Sequence, residues 1–475
     1  MTDSVETSEN GAGTPSVPAR KPCRRGRLVL AAALVLLFLA HLAADVFVAE
    51  RRPEFFLHDD GNEYLAGVRS FAENGTFMAG EERYYEAPRS RDIPEAFRPP
   101  LLAFLAGLLA KVLGDPMTAA AVFTALSATC LAWAVFLIAR RLGGTAAGLI
   151  SAALVTFHPL FLTFSLRFSS ECFFILMLAV YILAWTELDS RWKYPVMGVA
   201  AALACGVRPT ALLLLPAFGV FLLLRCVCGK FFRDGTQDSS SAKRSLIGYA
   251  VYAAAFLLFL SPFCIRNHMN YGSWNPAGCL GGFNMFVGNN RDNVLAYRAP
   301  DGKTFLEHQN AGWERAIAFA KAMPRDLSPV EQDRRFRAAA MEEIRLTGAG
   351  GFACMSLAKA WHFVRPWPLH GAHSAPVFWL ICLSELLLYA GGAAGVRLLR
   401  EKRSLLLLLL MILCVGWSAH TFVHLQMRHR VPFLDLPLVL LAGVAFGQIF
   451  RAVVSVFRPH ASARGKSVPG SSRTV

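Results

Sequence analysis

The sequence predicts an all-α polytopic membrane protein with about ten transmembrane helices, further helices lying at the interface, and both termini cytoplasmic. Three observations carry that expectation. Hydrophobic residues make up 55% of the 475 and charged residues only 17%, against roughly 25% charged in an ordinary soluble domain, and the mean hydropathy is +0.41. Apolar runs of membrane-crossing length recur along the chain. Basic residues gather at the ends of those runs, where the positive-inside tendency puts them. The net charge of +15 therefore reads as membrane topology, and nucleic acid is excluded as a partner.

Residues 1–27 read as a disordered, basic cytoplasmic tail carrying Arg20, Lys21, Arg24, Arg25 and Arg27. The run that follows stays apolar to about Val48, longer than a signal-peptide core, and reads as an uncleaved anchor. A crossing needs about 20 apolar residues. The clear candidates are 28–49, 117–139, 168–186, 246–263, 375–396, 404–422 and 431–450, and the shorter 144–159, 194–207 and 209–225 complete a transmembrane domain over 28–450. With the N-terminus inside, Arg140-Arg141, Asp189 to Lys193, Arg225 to Arg244, Arg397 to Arg403 and the basic tail 451–475 all fall on the cytoplasmic side. The serine-containing stretch 234–243 is then an inner flexible linker. Two apolar stretches, 99–113 and 352–366, carry proline and charge and read as helices at the outer interface.

The polar residues collect outside: in the loop 50–98, near His158 to Arg167, at Arg208, along 265–373, and from Leu425 to Arg430. Arg98, Arg167, Arg208, Arg266, Arg365, Arg428 and Arg430 stand on the side that disfavours basic residues and need anionic partners. Local carboxylates serve some of them, and a phosphate suits the guanidinium fork equally well. The first loop opens on Asp59-Asp60-Gly61-Asn62-Glu63-Tyr64. Its paired carboxylates either cap the helix carrying Tyr64 or act as a base. Glu171, at the lip of a span, either pairs with Arg167 four residues earlier or serves a site, since a carboxylate within the bilayer costs about 2.5–3.5 kcal/mol. Val330 to Leu346 reads as an amphipathic helix with Phe336, Met341 and Ile344 on its apolar side. Phosphate-loop and dinucleotide glycine patterns are lacking, and Cys226 and Cys228 have no partners at zinc spacing.

Taken together, these residues resemble the GT-C integral-membrane glycosyltransferases that use polyprenyl-phosphate sugars, in the branch of protein mannosyltransferases and lipid A aminoarabinose transferases. The resemblance rests on Asp60 and Tyr64 followed by a helix and Asn74-Gly75, on Arg98-Pro99-Pro100-Leu101, and on Ser165 to Glu171. It continues in Gly206-Val207-Arg208-Pro209-Thr210, Pro262 to Asn267, Gly288-Asn289-Asn290 and Arg428 to Pro432. It implies a GT-C-like fold and a catalytic first loop. It also implies transfer of a sugar from a polyprenyl phosphate to a lipid, glycan or protein acceptor on the periplasmic face of a bacterial inner membrane. Asp60, with Asp59 beside it, takes the role of base. Arg98, Arg266 and Arg430 are the donor-phosphate candidates, and Tyr64, Glu171 and Arg208 the other substrate-binding candidates. The resemblance also allows a divalent metal at Asp59, Asp60 and Glu63.

That chemistry is self-consistent. A polyprenyl-phosphate sugar is already activated, so the protein needs a base for the acceptor proton and fixed positive charge for the departing phosphate. A single displacement inverts the anomeric centre. The rival class is a transporter or lipid-linked-sugar flippase, which the span count would suit. No internal repeat supports it, and the acidic cluster lies outside the spans and away from the bilayer midplane. A non-catalytic membrane scaffold is the third reading, which dispensable carboxylates would favour.

Overall fold

A computed structural model of the chain describes residues 24–58, 60–228, 242–276, 278–296, 302–368 and 374–457. Most of both tails, the 234–241 part of the linker and Asp59 lie outside the described residues. Among the described residues every regular element is a helix, apart from one isolated antiparallel bridge between Met78 and Pro94.

In chain order, α1 (Arg24–Arg51) leads through a single turn, α2 (Pro53–Phe56), into α3 (Gly61–Asn74). Gly75, at φ 69°, closes α3 in the left-handed conformation, as Asn-Gly turns do. After the loop 76–98 come α4 (Leu101–Leu113), the long α5 (Pro116–Phe157), α6 (Pro159–Ser165), α7 (Ser170–Glu187) and α8 (Ser190–Cys205). A 3₁₀ turn at Pro209–Leu213 runs into α9 (Leu214–Val227), and α10 (Ala242–Tyr271) follows. Four helices, α11 (Gly281–Asn289), α12 (Arg291–Ala296), α13 (Gly302–Lys321) and α14 (Pro329–Val364), fill the long polar segment. The chain closes with α15 (Ala375–Leu398), α16 (Arg403–Phe422), a 3₁₀ turn at Met427–His429, a π turn at Val431–Asp435 and α17 (Leu436–Phe457).

Among the described residues, eight helices are long and apolar enough to cross a membrane, against the ten expected. The two that differ have a physical reason. The stretch 194–207 falls in α8, whose 16 residues include Pro195 and which is short for a crossing. The stretch 144–159 is the second leg of α5. There Gly144 adopts φ 83° and ψ −179°, and a Cβ built on Gly148 would lie 2.8 Å from the carbonyl oxygen of Phe136. Twelve residues of continuous helix would separate those positions by about 18 Å, so the chain doubles back at Gly144. A side chain there would be forced into the left-handed region and would meet the Arg451 guanidinium at 3.3 Å. Gly144→Ala is expected to cost roughly 1–2 kcal/mol, read as a lower unfolding temperature of the detergent-solubilised protein. An unchanged temperature would argue against the reversal.

Two apolar clusters organise the rest. The larger is built from the transmembrane helices, with α17 and α7 packed on α5 and α15 packed on α17. Small residues let α5 and α17 approach: Ala147 and Ser151 face Gly447 and Gly443, the packing that membrane helices favour. The smaller cluster joins loop 76–98 to α11, α13 and α14 through Tyr85, Phe97, Phe283, Phe286, Ala316 and Phe336. Phe336 is buried as the amphipathic reading expects, but Met341 is exposed. The face of α14 that packs inward runs through Phe336, Ala340 and Glu343 instead.

Candidate active site

Four separate segments meet around one cavity of about 470 Å³. The first is the start of α3. Gly61 brings the backbone so close to the strap before α7 that a Cβ would sit 2.8 Å from the Phe168 carbonyl oxygen, while the Phe168 amide donates to the Phe56 carbonyl at 2.9 Å. Asp60 occupies the position before α3, yet its side chain makes no capping bond. Its carboxylate turns to Arg98, whose Nη2 donates to Oδ1 at 2.8 Å.

The second segment is the closing end of the loop, which is tied by charge. Arg83 forms a buried pair with Glu95, and Glu95 Oε1 accepts from the backbone amides of Phe97 and Arg98 at 2.7 and 2.9 Å. Those contacts aim the Arg98 fork, and its Nε reaches Glu63 Oε2 at 2.5 Å. Tyr85, stacked beneath the same guanidinium at 5.7 Å, donates its hydroxyl to Glu63 at 2.5 Å.

The third and fourth segments are turns between helices, α8 to α9 and α16 to α17. Arg208, before the Pro209 turn, pairs with the buried Glu171 at the start of α7 and donates from Nε to Ser170 Oγ at 2.9 Å. Arg428, in the turn between α16 and α17, lies 3.4 Å from Glu171 Oε1 and 3.8 Å from Asp60 Oδ2. Asp60, Glu63 and Glu171 thus stand against Arg98, Arg208 and Arg428, and a fourth arginine of the cavity, Arg337, pairs with Asp333 at 2.8 Å. Burial alone would push the Asp60 carboxyl up, but the charges of Arg98, Arg428 and Arg208 outweigh it and hold it at about 2. Burial pushes the Tyr64 phenol up to about 12.

Of the residues singled out from the sequence, Asp60, Tyr64, Arg98 and Arg208 line the cavity, and Glu171 lies directly behind two of its arginines. Its partners are Arg208 and Arg428; Arg167 instead lies over the Phe55 ring at 4.3 Å. Arg266 and Arg430 are placed elsewhere. Arg266 donates to the Glu95 carbonyl at 2.7 Å and to Asn267 Oδ1 at 2.9 Å, bracing the loop from behind. Arg430 is 1% exposed and its fork is taken by Glu385 and Asp435, both 0% exposed, with His158 3.6 Å from Glu385. Among the described residues no three His, Cys, Asp or Glu side chains converge as a metal site. Asp60 and Glu63 turn to the same guanidinium, and Asp59 lies outside the described residues.

The sequence reading missed the aromatic side of the cavity. Tyr84, Phe283 and Trp313 line it together, with Trp313 and Phe283 ring centroids 5.5 Å apart, and His424 adjoins Trp313 edge to face at 5.4 Å. No local pattern marks these residues, which come from four elements.

Residues 97–234 match the family model for dolichyl-phosphate-mannose-protein mannosyltransferases, a stretch that holds Arg98, Glu171 and Arg208. No curated protein matches the chain. Among solved structures, the oligosaccharyltransferase AglB of the archaeon Archaeoglobus fulgidus, in complex with an inhibitory peptide and a dolichol-phosphate, superposes with a TM-score of 0.52 at 13% identity over 91% of this chain. The chain has the GT-C fold. A second structure of the Archaeoglobus enzyme, tethered to an acceptor peptide, gives the same TM-score at 14% identity. In both cases this chain spans about half, 52%, of the longer protein. ArnT from Cupriavidus metallidurans bound to undecaprenyl phosphate aligns over 90% of this chain and 79% of its own, at 15% identity and a TM-score of only 0.37.

Proposed function

We propose that this protein is a membrane glycosyltransferase that moves a sugar from a polyprenyl-phosphate donor to an acceptor hydroxyl or amine on the periplasmic face of a bacterial inner membrane. The observation that carries the reading is the Asp60 carboxylate held among three guanidinium groups on the wall of one cavity. A base and a set of phosphate-binding cations are what the reaction needs, and the two are in contact before any substrate arrives. The GT-C fold and the dolichol-phosphate bound by AglB support the choice of donor class.

In the proposed reaction the acceptor proton passes to Asp60 as the acceptor oxygen or nitrogen bonds to the anomeric carbon. The bond from that carbon to the phosphate oxygen breaks, its electron pair leaves with polyprenyl phosphate, and the anomeric centre inverts. Arg98, Arg208 and Arg428 take the developing phosphate charge, and Arg266 and Arg430 have no part in it. Tyr64 packs against Phe168 and keeps the Asp60 turn in place. A carboxyl held at about 2 is ionised at neutral pH but is a weak base. Donor phosphate competes with Asp60 for the guanidinium groups, so donor binding itself raises the basicity of Asp60.

The test is transfer from a radiolabelled panel of polyprenyl-phosphate sugars, together with binding of bare polyprenyl phosphate to the purified chain. Hydrogen bonds to charged groups are worth roughly 1.5–3 kcal/mol, so Arg428→Gln is expected to weaken polyprenyl-phosphate binding by about tenfold or more. Absence of transfer by the wild type from every donor in the panel would overturn the reading.

A further inference from the structure

Resting on the donor reading above, we infer that His424 and Trp313 form the subsite that recognises the donor's sugar, separate from the arginines that hold its phosphate.

His424 is 4% exposed and lines the cavity, yet neither of its ring nitrogens has a hydrogen-bond partner among the described residues. Buried polar groups are rarely left so, because each unmet bond is costly. The neighbouring histidines differ: His420 Nδ1 meets the His424 carbonyl at 3.1 Å, and His429 Nδ1 accepts from the Gln426 amide at 3.1 Å. His424 therefore borders the cavity with the hydrogen-bonding capacity of both buried ring nitrogens uncommitted.

The protonation state selects the ligand chemistry. Burial, reinforced by the charges of Lys359 and Arg428, holds the ring at about 3, so it is neutral. A neutral imidazole offers one donor and one acceptor, which matches a hydroxyl and contributes no charge to a phosphate. An isoprenoid tail would satisfy neither nitrogen. Beside the ring stands the indole of Trp313, 5.4 Å away and nearly perpendicular, with Tyr84 and Phe283 at 6.2 and 5.5 Å from the indole. Flat aromatic faces next to one hydroxyl-matching group suit a pyranose, which presents C–H faces and hydroxyl edges.

The position of His424 is enforced. A Cβ on Gly288 would fall 1.7 Å from the Val423 carbonyl oxygen and 2.9 Å from the His424 Cα, so only glycine allows α11 to press on this turn. Asn289 Nδ2 donates to the Phe422 carbonyl at 3.1 Å, and the buried Lys359 donates to Asn289 Oδ1 and the Val423 carbonyl at 3.0 and 3.1 Å. Arg428 belongs to the same turn, four residues on. One turn thus carries both the phosphate-binding cation and the hydroxyl-binding ring of the proposed donor site.

The experiment compares two probes on the purified full-length chain: bare polyprenyl phosphate, and whichever of its mannosyl, glucosyl and N-acetylglucosaminyl derivatives the wild type transfers. His424→Ala is expected to raise the Kd of the sugar-bearing lipid by about tenfold while leaving the bare lipid phosphate within about twofold. His424→Gln, which retains a donor and an acceptor, should recover much of the loss, and Trp313→Ala should share the sugar-selective defect. Binding of bare polyprenyl phosphate reports that each variant is folded. Equal losses for both probes, or no loss for either, would overturn the inference. A wild type that binds neither probe would overturn the donor reading itself.

Discussion

Replacing Asp60 by Asn is expected to lower sugar transfer by about 10²–10⁴-fold, the span that a positioned general base typically contributes. Asparagine preserves the shape of the side chain, and Arg98 keeps its bond to Glu63 at 2.5 Å, so the site should stay assembled. Binding of polyprenyl phosphate should persist or tighten, because the substitution frees guanidinium capacity. A variant that binds the lipid and fails to transfer assigns Asp60 to the chemical step. Equal transfer by both proteins would remove Asp60 as the base. The pH profile adds an independent check. A carboxyl depressed to about 2 supplies its ionised form above that pH and loses it only as pH falls through it. The acid limb of kcat/KM due to Asp60 in the free protein should thus lie far below neutrality, and that of kcat, reporting the donor complex, should lie higher.

Arg430→Met should act on the fold and spare the reaction. It would leave Glu385 and Asp435, both fully buried, without their shared cation, and breaking a buried pair from one side costs roughly 3–5 kcal/mol. The expected result is poor recovery of monodisperse protein from detergent, with polyprenyl-phosphate affinity unchanged in the fraction that folds. Adding Glu385→Gln and Asp435→Asn to the same chain should restore recovery in part, since the orphaned charges go with their partner. Loss of lipid binding in well-folded Arg430→Met protein would return Arg430 to the phosphate site.

The contrast between Arg428 and Arg430 shows where sequence reading stops. Apolar runs, flanking charges and the Asp60–Tyr64 and Arg98-Pro-Pro patterns are local, and they located most of the spans and four cavity residues. Two arginines separated by one residue look alike in such a reading. What distinguishes them is the π turn at Val431–Asp435, which rotates Arg430 inward so that Asp435, five residues on, meets its fork at 2.7 Å. Glu385, the other partner, is a single carboxylate in an apolar helix 45 residues away. The aromatic wall was illegible for a similar reason: Tyr84, Phe283, Trp313 and His424 share a surface only after α11 and α13 pack on the first loop. The reversal at Gly144 looked like two spans from hydropathy, and the expected pair of runs reappears as the two legs of α5.

The pairing of every arginine of the cavity with a carboxylate bears on how such a site survives in a bilayer. Every leaflet is crowded with phosphodiester headgroups that outnumber any rare lipid carrier. A cleft with a large positive excess would draw them from a distance and remain clogged. Here the cations are already spoken for, so an incoming headgroup gains only by displacing a carboxylate with better geometry. Discrimination then rests on close fit, and occupancy by common phospholipid should respond little to ionic strength.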